Sequence, residues 1–246
     1  MFTSKTRALS APISRSSTLL LSSSSSSPNP NPNPPPPLII CGPSGVGKSS
    51  LLSKTLFSNS SLLLPPPFSF STSHTTRLPR MGETNGVEYN FVLPDFFTQN
   101  PSLFLETAEV HGNYYGTTFK AVNDVREQNE ICVLDLDVQG VKTLKSGITS
   151  LQTPTSTNFF SMFLNSKFIF ITPPKFSTLE NRLRNRNTET EETLKTRLQN
   201  AQSEIDYGTS GVFDEIIVND DVERAAENLA SVLERFYPDQ RLERRR

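Results

Sequence analysis

An apolar run, Leu38-Ile39-Ile40-Cys41, leads straight into Gly42-Pro43-Ser44-Gly45-Val46-Gly47-Lys48-Ser49, and Ser50-Leu51-Leu52 then opens a helical pattern. The stretch fills every position of G-x-x-x-x-G-K-[ST] in the strand-then-helix setting that this pattern requires. Its glycines let several backbone N–H groups converge on one anion, and the helix that follows adds the positive end of its dipole. Lys48 has the reach for the outer phosphates of a nucleoside triphosphate, and the Ser49 hydroxyl suits Mg²⁺. The loop implies triphosphate binding and leaves open what is done with the phosphate.

The chain has 246 residues, enough for one sizeable α/β domain with insertions. Its two cysteines, Cys41 and Cys132, each fall inside an apolar run. They read as small core side chains in a reducing compartment, not as a disulfide framework or metal site. His74 and His111 are the only histidines, too far apart to suggest a zinc centre. No apolar run approaches the roughly 20 residues needed to span a bilayer. Seven basic residues and no acidic ones precede Glu83, so the remainder carries 25 acidic against 17 basic residues. That balance argues against a nucleic-acid-binding face, which needs clustered positive charge. The ending Arg241-Leu242-Glu243-Arg244-Arg245-Arg246 reads as a frayed basic terminus.

Residues 1–37 have linker composition: the serine run Ser22–Ser27, alternating Pro and Asn, then Pro34–Pro37. The first twenty are rich in serine, contain Lys5, Arg7 and Arg15, and lack acids. Two readings stay open: a plastid or mitochondrial transit peptide, or a disordered extension of a cytosolic protein.

From residue 38 onward the pattern is α/β. Leu51–Phe57 is predicted helical, Phe68–Ser71 alternates as a short strand, and Asn85-Gly86 predicts a hairpin turn with Val87–Val92 returning as a strand. A short helix opens at Asp95. Leu103–Glu106 and Glu109–Thr117 form a small β element about Gly112-Asn113, so the middle third reads as a mainly antiparallel insertion. Ile131–Asp137 is nearly all apolar until its carboxylates, as expected of a doubly covered strand that presents ligand groups at its carboxyl end. Asp135 stands where a second Mg²⁺-associated carboxylate is expected. Lys167–Ile171 and Ile216–Val218 are further strands. Ser177–Arg186 and Glu191–Asp206 are helical, and Asp221–Phe236 closes the chain as an amphipathic helix capped by Asp220 or Asp221.

Two arginine groups stand out. Arg77 and Arg80, with Tyr89 and Tyr115, suit a second phosphate, because guanidinium forks match phosphate oxygens and phenols add donors. Arg186 and Arg197 flank the polar stretch 187–191, which looks like a mobile lid whose arginines swing onto a transferring phosphoryl group. An intact triphosphate loop with two such groups favours a kinase acting on two phosphate-bearing substrates.

Five ordered stretches then resemble the guanylate kinase family: Gly42–Ser49, Ser73–Arg77, Asn85–Tyr89, Gly112–Gly116 and Leu134–Gly140. The resemblance spans about Leu38–Tyr237. It implies a P-loop, NTPase-like parallel sheet flanked by helices (38–72, 126–185 and 207–246), a small, mainly antiparallel GMP-binding insertion (73–125) and a helical lid (186–206). It further implies Mg²⁺-dependent transfer of the ATP γ-phosphoryl to GMP or dGMP. ATP would lie on Gly42, Pro43, Ser44, Gly45, Val46, Gly47, Lys48, Ser49 and Ser50, and the metal near Ser49 and Asp135. Arg77, Arg80, Tyr89 and Tyr115 would hold the GMP phosphate, with Ser73, Glu106, Thr117 and Asp137 at the guanine. Lys48, Arg186 and Arg197 would stabilise the phosphoryl in flight. The chemistry agrees, since guanine offers adjacent N1–H and N2–H₂ donors that one carboxylate accepts together, whereas adenine would leave it unpaired.

The expected partners are these nucleotides, with no nucleic acid, no membrane and a monomeric chain. Residues 147–166 exceed the family's usual link and read as a surface insertion or an extra helical turn. The contrasting reading is a catalytically inactive guanylate-kinase-like interaction module. Such modules characteristically lose the phosphate loop, which is complete here.

Overall fold

The computed structural model describes residues 34–58, 60–64, 67–110, 112–150, 160–185 and 191–245. The leader reading therefore lies outside the described residues for positions 1–33, as do His111, Arg186 and the lid residues 187–190.

The first strand, β1 (Leu38–Cys41), is wholly buried, as its unbroken apolar sequence requires. It runs into the phosphate loop and a short helix, α1 (Lys48–Leu52), continued by a π-helical turn over Ser53–Phe57. A two-residue strand, β2 (Leu63–Leu64), is followed by β3 (Phe68–Phe70). Next come β4 (His74–Thr75), β5 (Asn90–Phe91), the helix α2 (Pro94–Gln99), and the hairpin of β6 (Phe104–Val110) and β7 (Asn113–Thr118). After α3 (Phe119–Arg126) the chain forms β8 (Ile131–Leu136), α4 (Val138–Ser150), β9 (Lys167–Thr172) and α5 (Phe176–Arg184). It ends with α6 (Glu191–Gly208), β10 (Glu215–Val218), α7 (Val222–Phe236) and β11 (Glu243–Arg244).

Five strands form an all-parallel sheet in the order β10-β9-β1-β8-β3. Helices cover both faces, and the buried side chains divide into two clusters accordingly. One holds Leu38, Ile40 and Ile169 with Leu51 and the apolar stripe of α7, and the other holds Ile39, Leu134 and Phe170 with α3 and α4. The alternation along β1 thus sends consecutive residues to opposite faces, each into a covered core. Asp221 caps α7, accepting from the Arg224 backbone N–H at 3.0 Å.

A second sheet has the order β5-β4-β7-β6, in which β7 is antiparallel to both neighbours and β4 runs parallel to β5. The predicted Asn85-Gly86 hairpin is corrected here. Asn85 Oδ1 accepts the Phe91 N–H at 2.8 Å, and Glu88 accepts the Thr84 N–H at 2.7 Å. These side chains take backbone groups that a two-stranded ladder would have used, so the segment closes into a compact loop and only Asn90–Phe91 is extended.

Among the described residues the basic ending is not frayed either. Arg244 pairs with Glu227 and Glu234 on α7 at 2.7 Å each, and β11 lies antiparallel to β2. In the 147–166 stretch, α4 continues to Ser150 and a 3₁₀ turn at Phe160–Phe163 buries Phe163 in the second cluster, while 151–159 lie outside the described residues. No helix among the described residues is long and apolar enough to cross a membrane.

Candidate active site

Pairing Ile40 with Asp135 and Cys41 with Leu136 brings the carboxyl ends of β1 and β8 side by side. The loop leaving β1 and the carboxylates leaving β8 therefore share one cleft, where open α/β sheets bind ligands. Its wall is built from Gly42, Pro43, Ser44, Gly45, Gly47, Lys48, Ser49 and Ser50, from Asp135 and Asp137, from Glu106 and Tyr115 of the second sheet, and from Ser73, Arg77, Arg80 and Tyr89 in the segments that flank its strands β4 and β5. Val46 stands behind the wall with its side chain buried in the core. Thr117 is buried beneath it. Arg197 lies half-buried on α6 and contributes nothing to the wall.

The Lys48 ammonium donates to the Gly42 carbonyl at 2.7 Å and stands 3.7 Å from Asp135 Oδ1. Burial disfavours its charge, but Asp135 and the neighbouring carboxylates outweigh that, and the group titrates above an ordinary lysine. Burial pushes Asp135 up, with Lys48 opposing the shift. The lysine is thus held charged and folded back over the loop.

At the other end of the cleft, a bulge between Phe104 and Glu106 breaks the β6–β7 register. It turns Glu106 toward the cleft, as bulges beside functional sites commonly do. Glu106 Oε1 accepts the Thr117 N–H at 2.8 Å, and Ser73 and Thr117 hydroxyls share a hydrogen bond of 3.0 Å. Asp137 accepts the Gly140 N–H at 2.8 Å. A Cβ at residue 140 would come within 2.8 Å of Glu106 Oε2 and 3.3 Å of Asp137 Oδ1, so the glycine leaves room for both carboxyl groups. Burial pushes the Glu106 carboxyl up to about 7.

Between these ends, the Arg77 guanidinium lies 5.5 Å from the Tyr89 ring centre and donates to Glu83 at 2.9 Å. Glu83 also accepts the Arg80 backbone N–H at 2.7 Å. The Tyr89 and Tyr115 rings meet edge to face at 6.0 Å.

Two wall-forming or wall-holding carboxylates escaped the sequence reading, Glu83 and Glu204. Glu204, on α6, lines the cleft near the phosphate loop. Its signal was spacing: seven residues after Arg197, it lies on the same helix face. Burial pushes its carboxyl up to about 7 from 4.5, with Asp137 adding to the shift and Lys48 opposing it. The folded protein therefore binds an additional proton between about pH 4.5 and 7, and this contribution to stability is lost as pH rises through that window. Glu204→Gln is expected to melt above the wild type at pH 8, with the difference shrinking by pH 5 in parallel thermal unfolding curves.

A parallel five-stranded sheet, an intact phosphate loop at its carboxyl edge and a second small sheet across the cleft define a phosphate-loop α/β protein. The sequence profile of the guanylate kinase family matches residues 35–236. The chain is 43% identical over 199 residues to guanylate kinase 1 of Oryza sativa subsp. japonica, covering 80% of this chain and 47% of that one. It is 41% identical over 199 residues to human guanylate kinase, covering 80% of this chain and 91% of that one. The chain thus spans about half the length of the rice relative and nearly all of the human one. The crystal structure of guanylate kinase from Anaplasma phagocytophilum superposes with a TM-score of 0.57 at 27% identity, covering 85% of this chain and 88% of that one. The chain belongs to the guanylate kinase family.

Proposed function

We propose that the chain transfers the γ-phosphoryl group of ATP to GMP or dGMP, giving ADP with GDP or dGDP. The observation that carries this reading is Glu106, fixed by the Thr117 N–H in the same cleft as a complete phosphate loop. One Glu106 oxygen is occupied from behind, and the carboxylate offers its remaining lone pairs to the N1–H and N2–H₂ edge of guanine. Ser73 and Thr117 supply hydroxyls for O6, and Asp137 lies beside Glu106. Arg77, Arg80, Tyr89 and Tyr115 receive the GMP phosphate, which competes with Glu83 for the Arg77 fork. This sets the acceptor oxygen across the cleft from the γ-phosphorus.

Lys48 stabilises the charge that spreads over the transferring group as the bond to the β–γ bridging oxygen breaks and the bond to the GMP oxygen forms. Positioning and charge carry the step, and no side chain has to remove a proton. Arg186 and Arg197 are assigned to the same charge by sequence. No group of three or more His, Cys, Asp or Glu side chains forms a metal cage among the described residues. The Ser49 hydroxyl and Asp135 carboxylate are hard oxygen donors beside the loop, a set that fits Mg²⁺, which keeps several waters and completes its shell with phosphate oxygens. When bound, the ion neutralises triphosphate charge.

ADP release followed with a panel of acceptors tests the reading. Turnover is expected with GMP and dGMP and at most about 10⁻³ of that rate with AMP, CMP or UMP, because the buried carboxylate would be left unpaired. Comparable turnover of AMP would overturn the base assignment, and binding without any turnover would point to the inactive module.

A further inference from the structure

The Val46 carbonyl, in the middle of the phosphate loop, accepts two side-chain hydrogen bonds from outside the cleft. Asn219 Nδ2 donates at 2.8 Å and Arg182 Nη1 at 3.1 Å. The other arm of the Arg182 guanidinium, Nη2, donates to the Asn219 carbonyl at 2.9 Å, so one fork ties α5, the residue after β10 and the phosphate loop together. Neither Arg182 nor Asn219 belongs to the cleft wall.

We propose that Arg182 is a positioning residue for the phosphate loop, acting through Asn219 and the Val46 carbonyl to aim the Gly47 N–H at the phosphates. In a planar trans peptide the C=O of one residue and the N–H of the next point in opposite directions. Two donors holding the Val46 carbonyl outward therefore hold the Gly47 N–H inward. A guanidinium donor strengthens the arrangement, since charge-assisted bonds exceed neutral ones and polarise the amide they engage.

The fit also accounts for the glycine. Gly47 sits at φ +97°, in the left-handed region, and a Cβ there would lie 2.6 Å from Asn219 Nδ2. The same clamp that aims the amide thus leaves no room for a side chain. The buried Val46 side chain anchors the loop on its other side, so the peptide cannot rotate away without disturbing the core.

The inference builds on the proposed kinase reading, but its test does not need turnover. Inorganic tripolyphosphate carries the anion without base or ribose, so its binding reports on the cradle alone. Relative to wild type, Arg182→Met is expected to weaken tripolyphosphate and ATP equally, by roughly tenfold, the usual cost of one charge-assisted hydrogen bond. KM for GMP should stay within about twofold, since that pocket shares no group with the clamp. Arg182→Lys keeps the charge and the stem but cannot hold both carbonyls in one fork. It should recover part of the affinity, leaving a loss of about threefold, and it serves as the folded comparison if the methionine variant is unstable.

Loss of ATP affinity with unchanged tripolyphosphate affinity would mean that Arg182 meets the nucleoside instead, and would overturn the proposal. Equal losses for GMP and ATP would mean a general structural role and would overturn it as well. Wild-type protein that binds tripolyphosphate but does not phosphorylate GMP would sink the kinase reading and leave the clamp standing.

Discussion

Lys48→Ala is expected to lose at least about 10²–10³-fold in kcat, measured by ADP release with saturating ATP and GMP, while melting close to the wild type. The kinetic loss follows from removing a preorganised charge aimed at the transferring group, whose effect grows as the group's own charge redistributes. Stability should change little, because the local losses are small and partly offset. The Gly42 carbonyl loses its donor, and Asp135 loses the cation 3.7 Å away. The Asp135 side chain is 30% exposed, so water and a shifted protonation equilibrium absorb much of that cost. Deleting the lysine also removes a group whose charged form burial disfavours. A variant with near-wild-type turnover would remove Lys48 from the chemistry and with it the role assigned to the loop.

What could be read in the sequence followed from which forces act locally. The phosphate loop was legible because glycine spacing and its flanking strand and helix are all contiguous, and β1 and β8 because strands covered on both faces leave almost no polar position. Asn85-Gly86 misled for a physical reason. Turn propensity assumes that the flanking backbone groups pair with each other, whereas Asn85 and Glu88 side chains captured the Phe91 and Thr84 amides. The tail misled because its charges were counted without partners. Arg244 becomes fixed by Glu227 and Glu234, which α7 presents on one face seven residues apart. Arg182 and Asn219 could not be found at all from spacing, since 37 positions separate them and only the fold brings both to Val46. The site was therefore legible where residues line the cleft with a recurring chemical logic, and hidden where residues hold other residues in place.

Glu106→Gln should show how far the acceptor pocket depends on one carboxylate. The Thr117 N–H needs an acceptor, so the new amide will keep its oxygen where Oε1 now stands and turn its NH₂ toward the cleft. Guanine then meets a donor with its own N1–H and N2–H₂ donors. One charge-assisted bond is lost and two donors are left facing one another, about 4 kcal/mol together, or a fall on the order of 10³-fold in kcat/KM for GMP. AMP presents an acceptor at N1 and suffers no such clash, so the GMP-to-AMP preference should collapse mainly through the GMP value. KM for ATP should stay near wild type.

The fold should gain from the same change. The Glu106 carboxyl is raised to about 7 in the folded chain against 4.5 when exposed, so its ionised form opposes folding above that window by on the order of 3 kcal/mol. The glutamine has no proton to lose, and the variant should melt above the wild type at pH 8 and converge with it near pH 5. Stabilisation at high pH together with lost GMP turnover would identify Glu106 as a carboxylate kept, at a cost in stability, for the base it recognises. A variant that retained GMP turnover within about threefold, less than the loss of a single hydrogen bond to a charged group, would show that guanine is read elsewhere.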